Sequence, residues 1–152
     1  MSRRLSWAVV AVAGLALLAG CGQSEQQKYT NKMRSITKQL RTEQEQVTGG
    51  KSPTSLSEAA TQFQRLQGVF NRLGARFAAV KAPAKVRDIH QRLVGVVRSF
   101  SGSLTAPIQA ASSGNVKRFQ ATTKTFRTQL TSFQAQLSAI NSEYASRGYK
   151  LR

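Results

Sequence analysis

Between Leu56 and Val80 the apolar residues fall at Leu56, Ala59, Phe63, Leu66, Phe70, Leu73, Phe77 and Val80, in steps of three and four that alternate without a break. This spacing stacks side chains along one stripe of an α-helix, whereas on a strand it would scatter them over both faces. A helix with a single apolar stripe has to bury that stripe on another helix. Three further segments carry the same signal. The first has Tyr29, Met33, Ile36, Leu40 and Val47. The third has Val86, His90, Leu93, Val97, Phe100 and Leu104, widened by Ile89, Val96 and Ile108. The fourth has Val116, Phe119, Thr123, Phe126, Leu130, Phe133, Leu137, Ile140 and Tyr144. Sustained over this length, the stripes read as coiled-coil or bundle seams.

The interruptions fall where a bundle needs turns. Thr48-Gly49-Gly50-Lys51-Ser52-Pro53 separates the first two stripes, Pro83 stands between the second and third, and Ser112-Ser113-Gly114-Asn115 divides the third from the fourth. Ser55 with Glu58 has the spacing of a capping box. Gly114 suits a left-handed helix end and Asn115 the N-cap of the next helix. The pattern predicts helices over about 26–47, 56–81, 84–111 and 116–146. Short connections make consecutive helices antiparallel, so the expected fold is all-α, an antiparallel up-down-up-down four-helix bundle. The alternative is a three-helix bundle with a loose N-terminal helix, because the first stripe is the weakest and Glu43 interrupts it. Pro107 is costly inside a helix. The third helix either kinks there or stops near Leu104 and gives way to a ragged turn.

The chain begins differently. Arg3 and Arg4 precede an uncharged run from Trp7 to Leu18, followed by small Ala19 and Gly20 and then Cys21, the single cysteine. A positive start, a short apolar core and small residues are the layout of a secretory signal peptide, and a run of about 12 residues is too short for the ~20 needed to span a bilayer. Leu18-Ala19-Gly20-Cys21 resembles the lipobox of bacterial lipoproteins. The resemblance implies that Leu18, Ala19 and Gly20 are read by the signal peptidase, that cleavage falls before Cys21, and that the Cys21 thiol carries a diacylglyceryl lipid. It also implies a bacterial cell envelope location, on the outer face of the cytoplasmic membrane or on the outer membrane. Gly22, standing where an aspartate would resemble an inner-membrane retention signal, leans toward the outer membrane if there is one. The expected organisation is a cleaved signal peptide at 1–20, the lipidated cysteine and a short tether at 21–25, a bundle domain at 26–147 and a basic tail at 148–152.

Charge bounds the partners. The chain carries 23 Lys and Arg against 6 Asp and Glu, a formal net charge of +17. Loss of Arg3 and Arg4 with the leader lowers this to about +15. Lys28, Lys32, Arg34, Lys38 and Arg41 cluster on the first helix, beside the lipid anchor. Surfaces selected only for solubility usually mix signs. Expected partners are therefore the membrane through the anchor, anionic lipid or cell-wall polymer, and an envelope protein. Nucleic acid is the usual partner of such a charge, but an exported domain without a zinc finger, RNA-binding aromatic pattern or basic zipper disfavours it.

Enzyme chemistry finds no foothold. One histidine, one lipid-bound cysteine and six scattered acids give no metal-ligand set. There is no CxxCH for covalent haem. The lone Asp88 lies two residues from His90, off its helical face, so no serine triad assembles. No cofactor is expected beyond the lipid on Cys21. His90 occupies a seam position and must find a hydrogen-bond partner if buried. Folding the hairpins back puts Tyr29, Leu73, His90 and Leu137 near one level, so Tyr29 and His90 are expected to form a buried polar pair. A small-ligand-binding accessory lipoprotein, with a pocket near Tyr29, His90 and Tyr144, is the alternative function to a structural, adaptor or binding module.

Overall fold

The computed structural model describes residues 24–49 and 52–151. The leader, Cys21 and Arg152 lie outside the described residues. All regular elements among the described residues are helical: α1 (Glu25–Thr48), α2 (Leu56–Ala78), α3 (Arg87–Ser103), α4 (Thr105–Ser112) and α5 (Val116–Ser146), with a 3-10 turn at Ala84–Val86 leading into α3. α3 and α4 together make one arm, so the fold has four helical arms. α1 packs on α2, α2 on α3 and α4, and these in turn on α5. This order is compatible with an up-down-up-down bundle.

The seams are the core. Tyr29, Met33 and Ile36 of α1 are buried with Phe70, Leu73 and Phe77 of α2, Leu93, Val97 and Phe100 of α3, and Phe126, Phe133 and Ile140 of α5. Phenylalanine rings tie the arms at mid-height. Phe100 stacks on Phe133 with centroids 4.1 Å apart and planes 14° from parallel. Phe70 meets the edge of both, at 4.7 Å and 5.7 Å. Phe63 packs edge-on against Phe119 and Phe126 one level further along. Val116 departs from its stripe: it opens α5 beyond the end of the core and is 55% exposed.

The first arm is not a loose stalk. Tyr29, Met33 and Ile36 are each less than 5% exposed. Glu43, which interrupts the stripe, fastens α1 to α2 instead: its carboxylate accepts from Arg76 at 2.7 Å and from Arg72 at 3.0 Å. The arm also starts earlier than expected. Ser24 caps it, its hydroxyl accepting from the Gln27 N–H at 3.2 Å while the Gln27 side chain accepts from the Ser24 N–H at 3.1 Å. This reciprocal capping box takes Ser24 and Glu25 out of the expected tether.

The third arm stops at Leu104, one of the two expected outcomes, but no ragged turn follows. α4 resumes at once, and Pro107 lies in its first turn, where a missing N–H forfeits no helical bond. The break is clamped from α2. The Gln67 amide donates to the Ser101 carbonyl at 3.2 Å and to the Thr105 hydroxyl at 3.1 Å, and the Ser101 hydroxyl donates to Asn71 Oδ1 at 2.7 Å. α4 then ends on Gly114 (φ +69°), and Asn115 caps α5 by accepting from the Arg118 N–H at 2.9 Å. At Ser55 the hydroxyl accepts from the Glu58 N–H, but the Glu58 carboxylate takes the N–H and hydroxyl of Thr54.

The expected basic tail is built into the fold. Gly148 takes φ +88°, its N–H reaches the Ala145 carbonyl, and the Tyr149 N–H reaches the Tyr144 carbonyl. This is a Schellman close, whose hydrophobic contact is made by Tyr144 and the residue after the glycine. Tyr149 is accordingly buried, and Leu151 packs against the core.

Truncating Phe100, the hub of the ring ladder, to alanine should cost about 3–5 kcal/mol of unfolding free energy, read as a lowered denaturant midpoint. Val116→Ala should stay within ~0.5 kcal/mol of the parent protein.

Candidate functional site

The polar centre of the fold is buried where α1, α2, α3 and α5 meet. α2 ends at Ala78, so the Phe77 carbonyl is one of the last in its helix and lacks an i+4 donor. It accepts from the Val80 N–H at 2.9 Å, and His90, a turn into α3, supplies a second donor, with Nε2 at 2.9 Å from the Phe77 oxygen. A carbonyl can only accept, so Nε2 carries the proton. In the neutral ring Nδ1 is then an acceptor. The Tyr29 hydroxyl lies 2.9 Å from Nδ1 and 2.7 Å from the Tyr144 hydroxyl. The directions follow: Tyr144 donates to Tyr29, Tyr29 donates to Nδ1, and Nε2 donates to Phe77. Tyr149 closes the cluster with its ring edge-on to Tyr29, at 5.7 Å and 84°.

Burial sets the proton affinities. It lowers the His90 pKa below its ordinary value, because the imidazolium would lose its hydration. It pushes the Tyr144 phenol up to about 12 and raises Tyr29 further, with the Tyr144 hydroxyl adding to the effect at Tyr29. All three groups are neutral at pH 7. Just outside the cluster, Arg147 forks onto Asp88 at 2.6 Å and 2.8 Å and also donates to the Lys85 carbonyl at 2.6 Å. The guanidinium holds the Asp88 carboxyl below its usual range. Asp88 therefore serves Arg147 and makes no bond to His90.

The structure thus brings Tyr29 and His90 into hydrogen-bond contact. The level of the cluster is set by Phe77 and Tyr144, one turn and two turns along from Leu73 and Leu137. Tyr149 joins this cluster, Arg147 flanks it and Gln67 clamps the α3–α4 break; the stripes reveal none of the three. The glycine between Tyr144 and Tyr149 is the signal for the first of them, since a Schellman close pairs those two positions. The space between the helices at Tyr29, His90 and Tyr144 is not a pocket. The three rings fill it, at 4%, 5% and 0% exposure. One of several open surface concavities is a groove of about 480 Å³ between α3 and α5, lined by Gly95, Val96, Ala139 and Ile140 and by the Arg92–Glu143 ion pair.

On the surface, most acids are engaged within the fold. Glu43 holds Arg72 and Arg76, Glu45 holds Arg41, Asp88 holds Arg147, Glu143 holds Arg92, and Glu58 binds Thr54. Lys28, Lys32 and Lys38 of α1 are exposed, as are Arg34 and Arg41. Arg34 also donates to the Lys150 carbonyl at 2.9 Å, tying α1 to the chain end. Among the described residues no group of three or more His, Cys, Asp or Glu is placed to hold a metal ion. No helix among them is long and apolar enough to cross a membrane. The chain matches no family model, no curated protein and no solved structure.

Tyr29→Phe and His90→Gln should each destabilise the protein, and their double mutant should depart from additivity by 0.5–3 kcal/mol; strict additivity would rule out energetic coupling through the bond. The His90 proton affinity gives a pH signature. The unfolded chain takes up a proton near pH 6.5 and the folded chain only below that. The stabilisation is therefore complete above about pH 6.5 and is lost as the pH falls through the lower folded-state value. Denaturation measured between pH 7 and pH 5 should show this loss in the parent protein and less of it in His90→Gln.

Proposed function

We propose that this is a non-enzymatic, lipid-anchored protein of the bacterial envelope, a structural, adaptor or binding module whose basic surface contacts anionic lipid, cell-wall polymer or a protein partner. The observation that carries this reading is the sequence Leu18-Ala19-Gly20-Cys21, behind two arginines and an apolar run. Removal of the leader at Gly20 would leave Cys21 three residues before the α1 cap, Ser24. The four arms, taken as an up-down-up-down bundle, would then form a compact head on a very short tether. Two acyl chains make such attachment close to permanent, since each buried methylene contributes ~0.8 kcal/mol.

Two features of the folded part favour contact over catalysis. The buried tyrosines and His90 are spent on one another and on a backbone carbonyl, leaving no polar group of the cluster aimed at a substrate. The acids are largely spent on arginines and caps, so the lysines face solvent with little competition. A small-ligand reading is favoured by surface concavities such as the α3–α5 groove, which is open and mostly apolar.

Cys21→Ser should abolish labelling by radioactive palmitate, leave the leader uncut and remove the lipid mass from the purified chain. A Cys21→Ser protein that is processed and retained at the membrane like the parent would overturn the lipoprotein reading.

A further inference from the structure

We infer that the bundle stands end-on against an anionic membrane surface, on the end formed by the start of α1, the α2–α3 connection and the close of α5. This rests on the lipid-anchor reading and adds to it which surface of the protein meets the bilayer. Three hydrogen bonds assemble that end. Gln26 donates to the Gly148 carbonyl at 2.7 Å, joining the first turn of α1 to the close of α5. Arg147 donates to the Lys85 carbonyl, joining α5 to the turn before α3. His90 donates to Phe77, joining α3 to the last turn of α2. The buried tyrosine cluster lies directly beneath and makes the three segments one rigid platform.

The platform is cationic. Lys28, Lys81, Lys85, Arg87 and Lys150 are all exposed on it. Its acids are Glu25 and Asp88, and Asp88 is bound by Arg147. Cations occur at the other end too, where Lys117 and Arg118 open α5. Distance separates the two sets. Three residues can span no more than ~11 Å even fully extended, so Ser24 stays within ~11 Å of a lipidated Cys21. Charges interact with an anionic surface only within about a Debye length, ~10 Å at 0.1 M salt. The platform falls inside that layer. The opposite end, a 31-residue helix away, lies ~45 Å further out when the bundle stands upright. Lying flat on α1 offers less. The exposed cations of α1 are spread over about half of its circumference, with Lys38 near the middle of the solvent side, and Arg41 is already paired with Glu45.

The test uses the full chain, processed and lipidated in a bacterial host and reconstituted into vesicles of neutral phosphatidylcholine or of phosphatidylcholine with phosphatidylglycerol. Mass spectrometry first reads the lipid on Cys21, so failure of the anchor reading is seen separately. If Cys21 is bare, the same protein is coupled through that thiol to a maleimide lipid and the docking measurement proceeds. A fluorophore on Ala84→Cys or on Ser113→Cys then reports energy transfer to a headgroup dye. End-on docking predicts strong transfer from position 84 and little from position 113 with phosphatidylglycerol, and loss of that difference at 1 M salt. Equal transfer from both positions means a bundle lying on its side and overturns the inference. So does a difference that ignores lipid charge. Replacing Lys81, Lys85, Arg87 and Lys150 by glutamine should weaken vesicle binding of the leaderless, unlipidated chain (residues 22–152, which hold the whole described bundle) at least tenfold, against under threefold for Lys117, Arg118 and Lys124. Equal losses, or binding only to anionic cell-wall polymer, would also overturn it.

Discussion

One hydrogen-bond chain passes through all four arms of this fold. It starts at the Tyr144 hydroxyl on α5, passes through Tyr29 on α1 and His90 on α3, and ends on the Phe77 carbonyl of α2. Each link fixes the next, because the carbonyl dictates the histidine tautomer and the tautomer dictates which way the tyrosines point. Apolar stripes alone let helices slide by a turn at modest cost, since one leucine or phenylalanine replaces another. A slide here would leave buried hydroxyls and an imidazole without partners, at about 1–3 kcal/mol for each group. The phenylalanine ladder supplies most of the burial, and the polar chain selects the register in which that burial takes place.

The break in the third arm follows the same logic on a smaller scale. Helix α3 stops a turn before Pro107; its own Ser103 hydroxyl donates to the Phe100 carbonyl, and α2 side chains complete the rest. Gln67 and Asn71 sit on consecutive turns of α2 and meet Ser101 and Thr105 across the interface. A discontinuity that would otherwise leave backbone carbonyls bare becomes a specific contact between arms.

The seams were legible because they depend on a period, and a period survives in any single sequence. Val86, His90, Leu93, Val97, Phe100 and Leu104 are all buried, and so are most of the stripe residues between Ala59 and Phe77. The Gly114–Asn115 turn was equally legible, since only particular residues suit a left-handed position followed by an N-cap. Levels across the bundle were harder. The heights of Phe77 and Tyr144 depend on how the connections at 79–86 and 104–105 are spent, and no side chain advertises that. Ion pairs across arms, such as Glu43 with Arg72 and Arg76, depend on the same heights. Glu43 thus read as an interruption of a stripe although it is a fastening. Tyr149 was hidden for another reason: in a short basic segment at the chain end, one aromatic reads as incidental until the glycine before it is seen to turn the chain back.

The engagement of the carboxylates has a consequence for control. Asp and Glu titrate near pH 4, Lys near 10.4 and Arg above 12, and the arginines hold Glu43 and Asp88 lower still. The only histidine is sealed in the core and disfavours its charged form. Around neutral pH the arginine-held carboxylates therefore stay ionised and the histidine stays neutral, so neither changes charge there. On the anionic-surface reading proposed above, the attraction rests on the lysines. What changes that attraction is whatever competes for or screens the lysines: monovalent salt, divalent cations on the opposing surface, or a second polyanion. On the anionic-surface reading proposed above, contact would then answer to ionic composition before it answered to small changes of acidity.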